Sequence, residues 1–373
     1  MAVEILDVET GKTLPKNIEI LAKEENEELL KEEHYMLKEI LEQPKTLVKA
    51  TEQDEQKLID VALDVLRAKT VVFTACGTAR YAAIIGRYLL SKVANKFSEV
   101  IMSHEFQYFS ESIDKDTAVI AVSQSGETAD VLEGVKKAKE NGAKIIAITN
   151  VVGSSLTRIA DYTFYLNCGT EIAVASTKAF TGQLVLLYLL SFATINKIKE
   201  CKDSVNEVAK KIEENIHQND SVLKELAEKL KDKKDFYYLA KGIDFALASE
   251  GALKLKEISY IHAEGMPAGE LKHGTLSLIE EGTPIVVICP KDYTYKETLN
   301  NAQEAKSRGG FIIGVSDEDN DLFDVWLKIP EVEEIYYPVV SVIPLQLLGY
   351  YTAIAKGNNP DKPRNLAKSV TVK

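Results

Sequence analysis

Between residues 70 and 196, short apolar runs alternate with longer stretches in which apolar residues recur every three to four positions. The runs 70–74, 118–122, 144–149 and 163–166, with another near Val100, are rich in β-branched residues and bounded by turn residues, so each reads as a buried strand. Residues 81–93, 129–141 and 176–196 carry the helical period. Strands and helices in alternation make a mostly parallel sheet with helices on both faces. Upstream, helices are predicted at 34–42, stopped by Pro44, and at 52–67; downstream, helices cover 202–231.

A second series repeats the first. Residues 118–122 line up with 284–288, and 144–150 with 310–316, at one common offset. Gly77 with Gly242, and Gln183 with Gln346, fall within about three positions of that offset. The predicted fold is α/β: two tandem lobes, 34–200 and 201–355, each a mostly parallel sheet flanked by helices in a flavodoxin-like three-layer sandwich. Residues 356–373 form a tail. Residues 1–33 do not look like the start of a domain; 3–7 and 18–21 suit two strands around Glu9-Thr10-Gly11-Lys12, which bury too little to stand alone.

Ligands bind beyond the carboxyl ends of such parallel strands, and two segments sit there. Ser123-Gln124-Ser125-Gly126-Glu127-Thr128 joins a strand to a helix, and Cys76-Gly77-Thr78 follows an earlier strand. Helix-start N–H groups lack intrahelical partners and carry about half a positive charge. Ser123, Ser125 and Thr128 add hydroxyl donors and Gln124 an amide. The loop reads as a phosphate site; the alternative is a plain N-cap with Glu127 as a helix-start carboxylate. Opposite it the second copy has Cys289-Pro290-Lys291-Asp292, without the small hydroxyls. One phosphate site is expected, in the first lobe, with the second lobe free to supply chemistry.

In the second lobe Glu250, Lys254 and Glu257 share one face of a predicted helix with Leu247, Gly251, Ile258 and Ile261. They are either a solvated salt-bridge face or a carboxylate held against apolar surface as a general base. Downstream, residues 265–274 are glycine-rich, dense in titratable groups and short of reasons to be ordered; His273 is the candidate there, while His262 suits a satisfied core histidine. The tail alternates apolar and polar residues and is expected to fold back over a site, carrying Lys368. Residues 169–178 form a small-residue loop before a helix, able to line a polyol.

Composition narrows the partners. The chain has 373 residues, 45% hydrophobic and 27% charged, with a net charge of −12. That is globular material, and the acidic balance argues against nucleic acid. The longest apolar stretch, 184–195, is broken by Ser191 and Thr194, so no membrane span is expected; nor is a signal peptide. The four cysteines show no CxxC spacing and the five histidines no metal-ligand spacing. No disulfide, metal or cofactor is expected, and a cytoplasmic location is the simplest reading.

Met36-Leu37-Lys38-Glu39-Ile40 with Glu42-Gln43-Pro44, Ala75-Cys76-Gly77-Thr78, loop 123–128, and segments 169–178, 253–264, 269–274 and 366–372 follow one another from His34 to the C-terminus. Together they resemble the isomerase half of the glutamine–fructose-6-phosphate aminotransferase (glucosamine-6-phosphate synthase) family, which is built of two SIS (sugar isomerase) lobes. The resemblance implies that Ser123, Gln124, Ser125 and Thr128, with Cys76, Gly77 and Thr78, bind the phosphate end of fructose 6-phosphate, and that Val174 and Ser176 contact the sugar. Glu257 would move the proton between C1 and C2 beside Lys254. His273 would open the ring from the neighbouring subunit of a homodimer, and Lys368 would meet the open-chain sugar as an imine. Glucose 6-phosphate or glucosamine 6-phosphate would be the product.

Two positions depart from the family. Ala79 stands where it usually has Ser, which removes one hydroxyl donor. Its glutaminase domain begins with a nucleophilic cysteine after the start methionine, where this chain has Ala2, and residues 3–21 resemble only that domain's closing hairpin. The chain is thus expected to be an isomerase half without glutamine hydrolysis. Rival readings are another SIS enzyme, such as a glucosamine-6-phosphate deaminase or fructosamine deglycase, and a non-catalytic sugar-phosphate sensor.

Overall fold

The structure is a computed structural model that describes residues 33–372. The hairpin predicted within residues 3–21, and all but the last residue of the segment 1–33, lie outside the described residues. Three helices come first: α1 (Tyr35–Leu41), α2 (Gln43–Ala50) and α3 (Glu55–Arg67). Pro44 was expected to stop a helix; it instead sits in the first turn of α2, where a missing N–H costs nothing. The Asp54 carboxylate caps α3 by accepting the Lys57 N–H at 3.1 Å.

The first lobe follows as β1 (Thr70–Ala75), α4 (Gly77–Ala94), β2 (Glu99–Met102), α5 (Ser103–Phe106), β3 (Thr117–Val122), α6 (Ala129–Glu140), β4 (Lys144–Thr149), α7 (Ser155–Ile159), β5 (Tyr162–Tyr165) and α8 (Lys178–Ala193). Its sheet is parallel throughout, in the order β2-β1-β3-β4-β5, with Phe73 opposite both Val100 and Ile120. Every residue of β3 is buried, because helices cover both faces.

The second lobe runs α9 (Ile198–Asn215), α10 (Asp220–Leu230), β6 (Asp235–Ala240), α11 (Phe245–Ser259), β7 (His262–Pro267), β8 (Pro284–Ile288), α12 (Tyr295–Lys306), β9 (Phe311–Ser316), β10 (Val325–Lys328) and α13 (Tyr337–Ala355). Its order is β10-β9-β8-β6-β7, again all parallel. Counted from the first strand of each lobe, both sheets have the order 2-1-3-4-5, so the repeat seen in the sequence is a repeat of topology. In each, the crevice lies where the order reverses, between the first and third strands.

Strand β7 departs from the sequence reading, which left residues from 265 onward without order. His262–Pro267 has no β-branched residue to announce a strand. A Cβ on Gly265 would lie 2.4 Å from the Ala248 carbonyl oxygen, so the glycine lets β7 pack directly on α11. Residues 268–273 then form a 3-10 turn.

Helices α8 and α13 are apolar nearly all round and lie against α4 and α11 respectively. Contrary to the sequence expectation, residues Glu334–Ala355 are long and apolar enough to cross a membrane. Ser341, Gln346 and Thr352 interrupt this stretch, so it does not stand out as one unbroken apolar run. The helix is 89% buried over its most apolar window, and Gln43 Nε2 donates to Gln346 Oε1 at 2.7 Å, so it is a core helix of the fold. Helix α4 of the first lobe also packs on α11 of the second. That contact brings the two lobes' candidate residues together.

Candidate active site

The loop between β3 and α6 is shaped by one glycine. Gly126 has φ +63°, and a Cβ there would sit 2.1 Å from Ser154 Oγ, so no other residue fits unchanged. The Gly126 N–H donates to Ser123 Oγ at 3.1 Å, and the Ser123 and Thr128 hydroxyls lie 3.1 Å apart. Ser125 Oγ accepts the Glu127 N–H at 3.2 Å. Thr128 is the N-cap of α6 but makes no side-chain capping bond, and Glu127 turns away to accept the Ser155 N–H at 2.7 Å. The hydroxyls of this loop are therefore not consumed as a plain N-cap. Gln124 is half-buried beside them.

Across the lobe boundary, Lys254 Nζ lies 2.6 Å from Glu257 Oε2 and 3.5 Å from Glu250 Oε1. It also donates to Thr78 Oγ1 at 3.0 Å, and that hydroxyl donates to Glu250 Oε1 at 3.2 Å. Thr78 stands at the start of α4, with half-buried Cys76 and exposed Gly77 before it. Side chains of Lys254 and Glu250 are fully buried, whereas Glu257 keeps 22% of its surface and is the one member of the trio open to a reactant. The solvated-face alternative is excluded. Burial pushes the Glu250 carboxyl up to about 8 against the pull of Lys254. Near neutrality the buried Glu250 carboxyl therefore keeps its proton. Burial alone would lower the Lys254 ammonium, but Glu250 and Glu257 hold it above its ordinary value.

A third group forms around loop 169–178. Glu171 is buried and ionised: burial opposes its charge, but the Lys368 ammonium and several N–H donors hold its carboxyl below the usual range. Its Oε2 receives Ser176 Oγ (2.9 Å) and Lys368 Nζ, and its Oε1 receives the N–H groups of Thr177 (2.8 Å) and Ala179 (3.0 Å). Lys368 also donates to the Ala173 carbonyl at 2.7 Å. The tail continues onto the first loop, where Ser369 Oγ donates to Ser125 Oγ (3.1 Å) and the Val370 carbonyl accepts the Ala129 N–H (3.1 Å). Val174 is fixed through its N–H on the Asp361 carbonyl at 3.1 Å.

Contacts thus link Ser123, Ser125 and Thr128 to Lys368, Ser176 and Val174, and separately join Thr78 to Lys254 and Glu257. His273 is not among them. It ends the 3-10 turn 268–273, exposed, with no hydrogen bond or ion pair to the Lys254 cluster among the described residues. Ala79 is buried in the first turn of α4. Three residues without an assigned role in the sequence reading belong to the site's frame: Glu39, Glu171 and Asp361. Asp361 is the least legible, because its carboxylate accepts the Tyr35 and Met36 N–H groups (2.9 and 2.8 Å) from 326 and 325 positions away. Glu39 had a signal, a carboxylate on the same helix face as Met36 and Ile40.

The SIS domain family matches this chain at residues 65–193 and 229–356, one match in each lobe. The glutamine–fructose-6-phosphate aminotransferase (isomerizing) of Thermococcus kodakarensis is 47% identical over 350 residues, covering 91% of this chain. The chain spans 58% of that relative's length. Among solved structures, the C-terminal domain of glucosamine-fructose-6-phosphate aminotransferase from Francisella tularensis superposes with a TM-score of 0.82 at 36% identity, over 89% of this chain and 98% of that one. A glucosamine-6-phosphate deaminase from Thermotoga maritima shares the fold, at TM-score 0.69 and 22% identity. With both lobes matched and the Francisella domain covered almost end to end, the chain belongs to the SIS family, as a tandem-SIS member of the glutamine–fructose-6-phosphate aminotransferases.

Proposed function

We propose that this chain binds fructose 6-phosphate and isomerises it to the aldose, releasing glucose 6-phosphate alone or glucosamine 6-phosphate when ammonia is supplied. The observation that carries the reading is the bond from Lys254 to Thr78: it holds a reachable carboxylate, Glu257, against the lobe that carries a helix-start anion site. A sugar phosphate satisfies both ends. Its phosphate takes the donors of Ser123, Gln124, Ser125 and Thr128 and the α4 start at Cys76, Gly77 and Thr78. Val174 and Ser176 meet the hydroxyls.

In the open-chain ketose, Glu257 removes a proton from C1 as the C2 carbonyl becomes an enediol, then returns it to C2 to give the aldose. Lys254, 2.6 Å away, pairs with Glu257 and offers a proton donor to the enediol oxygens. Ring opening belongs to His273, which protonates the ring oxygen as the C2–O bond breaks. Because His273 is exposed and apart from Glu257 in its own chain, it acts on the site of a second copy, and the working unit is a homodimer. Lys368 meets the open-chain carbonyl as an amine. A cytoplasmic location suits soluble substrates of this kind.

The test is turnover of fructose 6-phosphate by the purified chain, with and without ammonium, products identified by mass. Glucose 6-phosphate, or glucosamine 6-phosphate with ammonium, is the expected result. Tight binding without any conversion in a verified dimer would overturn the enzymatic reading in favour of a sensor.

A further inference from the structure

Glu39 has no part in the mechanism above, yet its carboxyl is fully buried on α1. Its Oε1 receives the N–H groups of Ile172 and Ala173, the latter at 3.3 Å, and its Oε2 is buried without a partner. A buried polar atom left unpaired is destabilising, so an acid here calls for a reason. The surroundings suggest one. Ala173 is held by its N–H on Glu39 and by its C=O on Lys368, and the next residue is Val174. A single residue's backbone therefore connects the α1 carboxyl to the tail amine.

The charged groups facing Glu39 are Glu171 from the loop, Lys178 from the start of α8 and Lys368 from the tail. Lys178 is itself paired at 2.9 Å with Glu42, the residue just past the end of α1. Asp361 lies at the α1 start and is engaged by the Tyr35 and Met36 N–H groups. The nearby Cys168 thiol, pushed up to about 12 by burial, stays neutral.

We propose that Glu39 is a positioning residue for the Lys368 amine: its buried carboxyl clamps Ala173 opposite the tail, and Glu171 is the acid that seats Lys368 directly. The inference rests on the reading that Lys368 forms an imine with the open-chain sugar. In that step the ammonium first gives up a proton. The neutral nitrogen then adds to the sugar carbonyl carbon, and the carbonyl oxygen leaves as water. A second carboxylate beside Nζ would favour the ammonium and slow the step. Burial, reinforced by Glu171, pushes Glu39 up to about 8. Below that pH Glu39 is neutral; above it, its negative charge adds to that of Glu171 beside the tail amine.

Borohydride reduction of the chain with fructose 6-phosphate, across a pH series, converts the imine to a stable secondary amine that mass spectrometry assigns to Lys368. In the unaltered chain the adduct should rise with pH and inflect near about pH 8. Glu39→Gln keeps the Oε1 acceptor but cannot ionise, so its adduct should rise without the inflection and exceed the unaltered chain by roughly threefold or more above about pH 9. Glu39→Ala removes the clamp and should raise KM by roughly tenfold with a smaller change in kcat. An inflection kept in Glu39→Gln overturns the inference. So does an unaltered chain with no inflection, whether or not the variant folds. Absence of any Lys368 adduct would instead break the imine reading itself, and the inference with it.

Discussion

Two loops occupy equivalent places in the two lobes, each at the reversal point of a 2-1-3-4-5 sheet, and only the first keeps small hydroxyl side chains and open space at its helix start. Over Gly77 nothing lies within 4 Å of where a Cβ would be, whereas over Gly242 the Tyr293 hydroxyl would be 2.5 Å away. Tyr293 is in turn covered by Lys92, whose ammonium lies 4.1 Å from the ring centre. Where the first lobe has Ser123, the second has fully buried Cys289; Pro290 removes an N–H, and the Asp292 carboxylate takes both the Thr294 N–H and hydroxyl, each at 2.8 Å. A cavity of about 390 Å³ does remain beside Gly242, but Glu297 pairs with its Lys241 and Glu270 adds a second carboxylate. The duplicated fold supplies the same crevice twice. Under the proposed function, steric access and charge are what assign the phosphate to the first crevice, while the second lobe turns its α11 face towards the first.

If that division of labour is right, the largest effect of a single change should fall in the second lobe without touching binding. Glu257→Gln should lower turnover by roughly 10²- to 10⁴-fold while sugar-phosphate affinity stays within a few-fold, as expected when a general base is lost. Calorimetry beside steady-state kinetics separates the two; comparable losses in both would place Glu257 in binding rather than chemistry. The reciprocal change is Ser125→Ala. Losing one hydrogen bond to a charged phosphate should weaken binding by roughly tenfold to a hundredfold, mostly as a rise in KM. A selective fall in kcat instead would mean that the first lobe does more than hold the phosphate.

The parts of this arrangement that were legible in the sequence are those that rest on local pattern. Strands β3 and β8 announce themselves as apolar runs at a constant offset, because a strand buried on both faces tolerates little else. Loop 123–128 is readable because its donors are adjacent in the chain. Strand β7 was not, since its residues earn their place by letting α11 approach rather than by strand propensity. Nor was α2 legible as a helix, because Pro44 reads as a stop although it marks a helix start equally well. Least legible were bonds between distant positions: the Lys254–Thr78 contact spans 176 residues and the Lys368–Glu171 pair 197. Periodicity places Glu250, Lys254 and Glu257 on one face, but only the packing of α4 on α11 shows that this face is buried.

Burying that face also has a consequence for stability, spread over several pH units. The Glu250 carboxyl, raised from 4.5 to about 8, keeps its proton in the folded chain at pH values where the unfolded chain has released it. The native state then binds more protons, so stability falls as pH rises between about 4.5 and 8, by at most about 1.4 kcal/mol per pH unit from this group. Glu250→Gln, which cannot titrate, should lose that contribution. Urea unfolding at several pH values should show the stability difference between variant and unaltered chain shifting in the variant's favour as pH rises. A difference that stays constant would show that Glu250 is ionised throughout.

The smallest expected effect is the most pointed test of the comparison. Cys289→Ser with Lys291→Ser restores to the second loop the hydroxyls that distinguish Ser123 and Ser125 in the first. If hydroxyl donors alone made the phosphate site, this double variant would gain a second one. The geometry argues otherwise: Pro290 still lacks an N–H, Asp292 still presents a carboxylate beside the would-be phosphate, and Tyr293 still lies over Gly242. Titration calorimetry with fructose 6-phosphate should therefore keep one site per chain, with affinity changed by less than about twofold, since substitutions that touch neither the bound ligand nor its donors are nearly neutral. A second site would mean that composition of the loop, and not the space and charge around it, separates the two lobes.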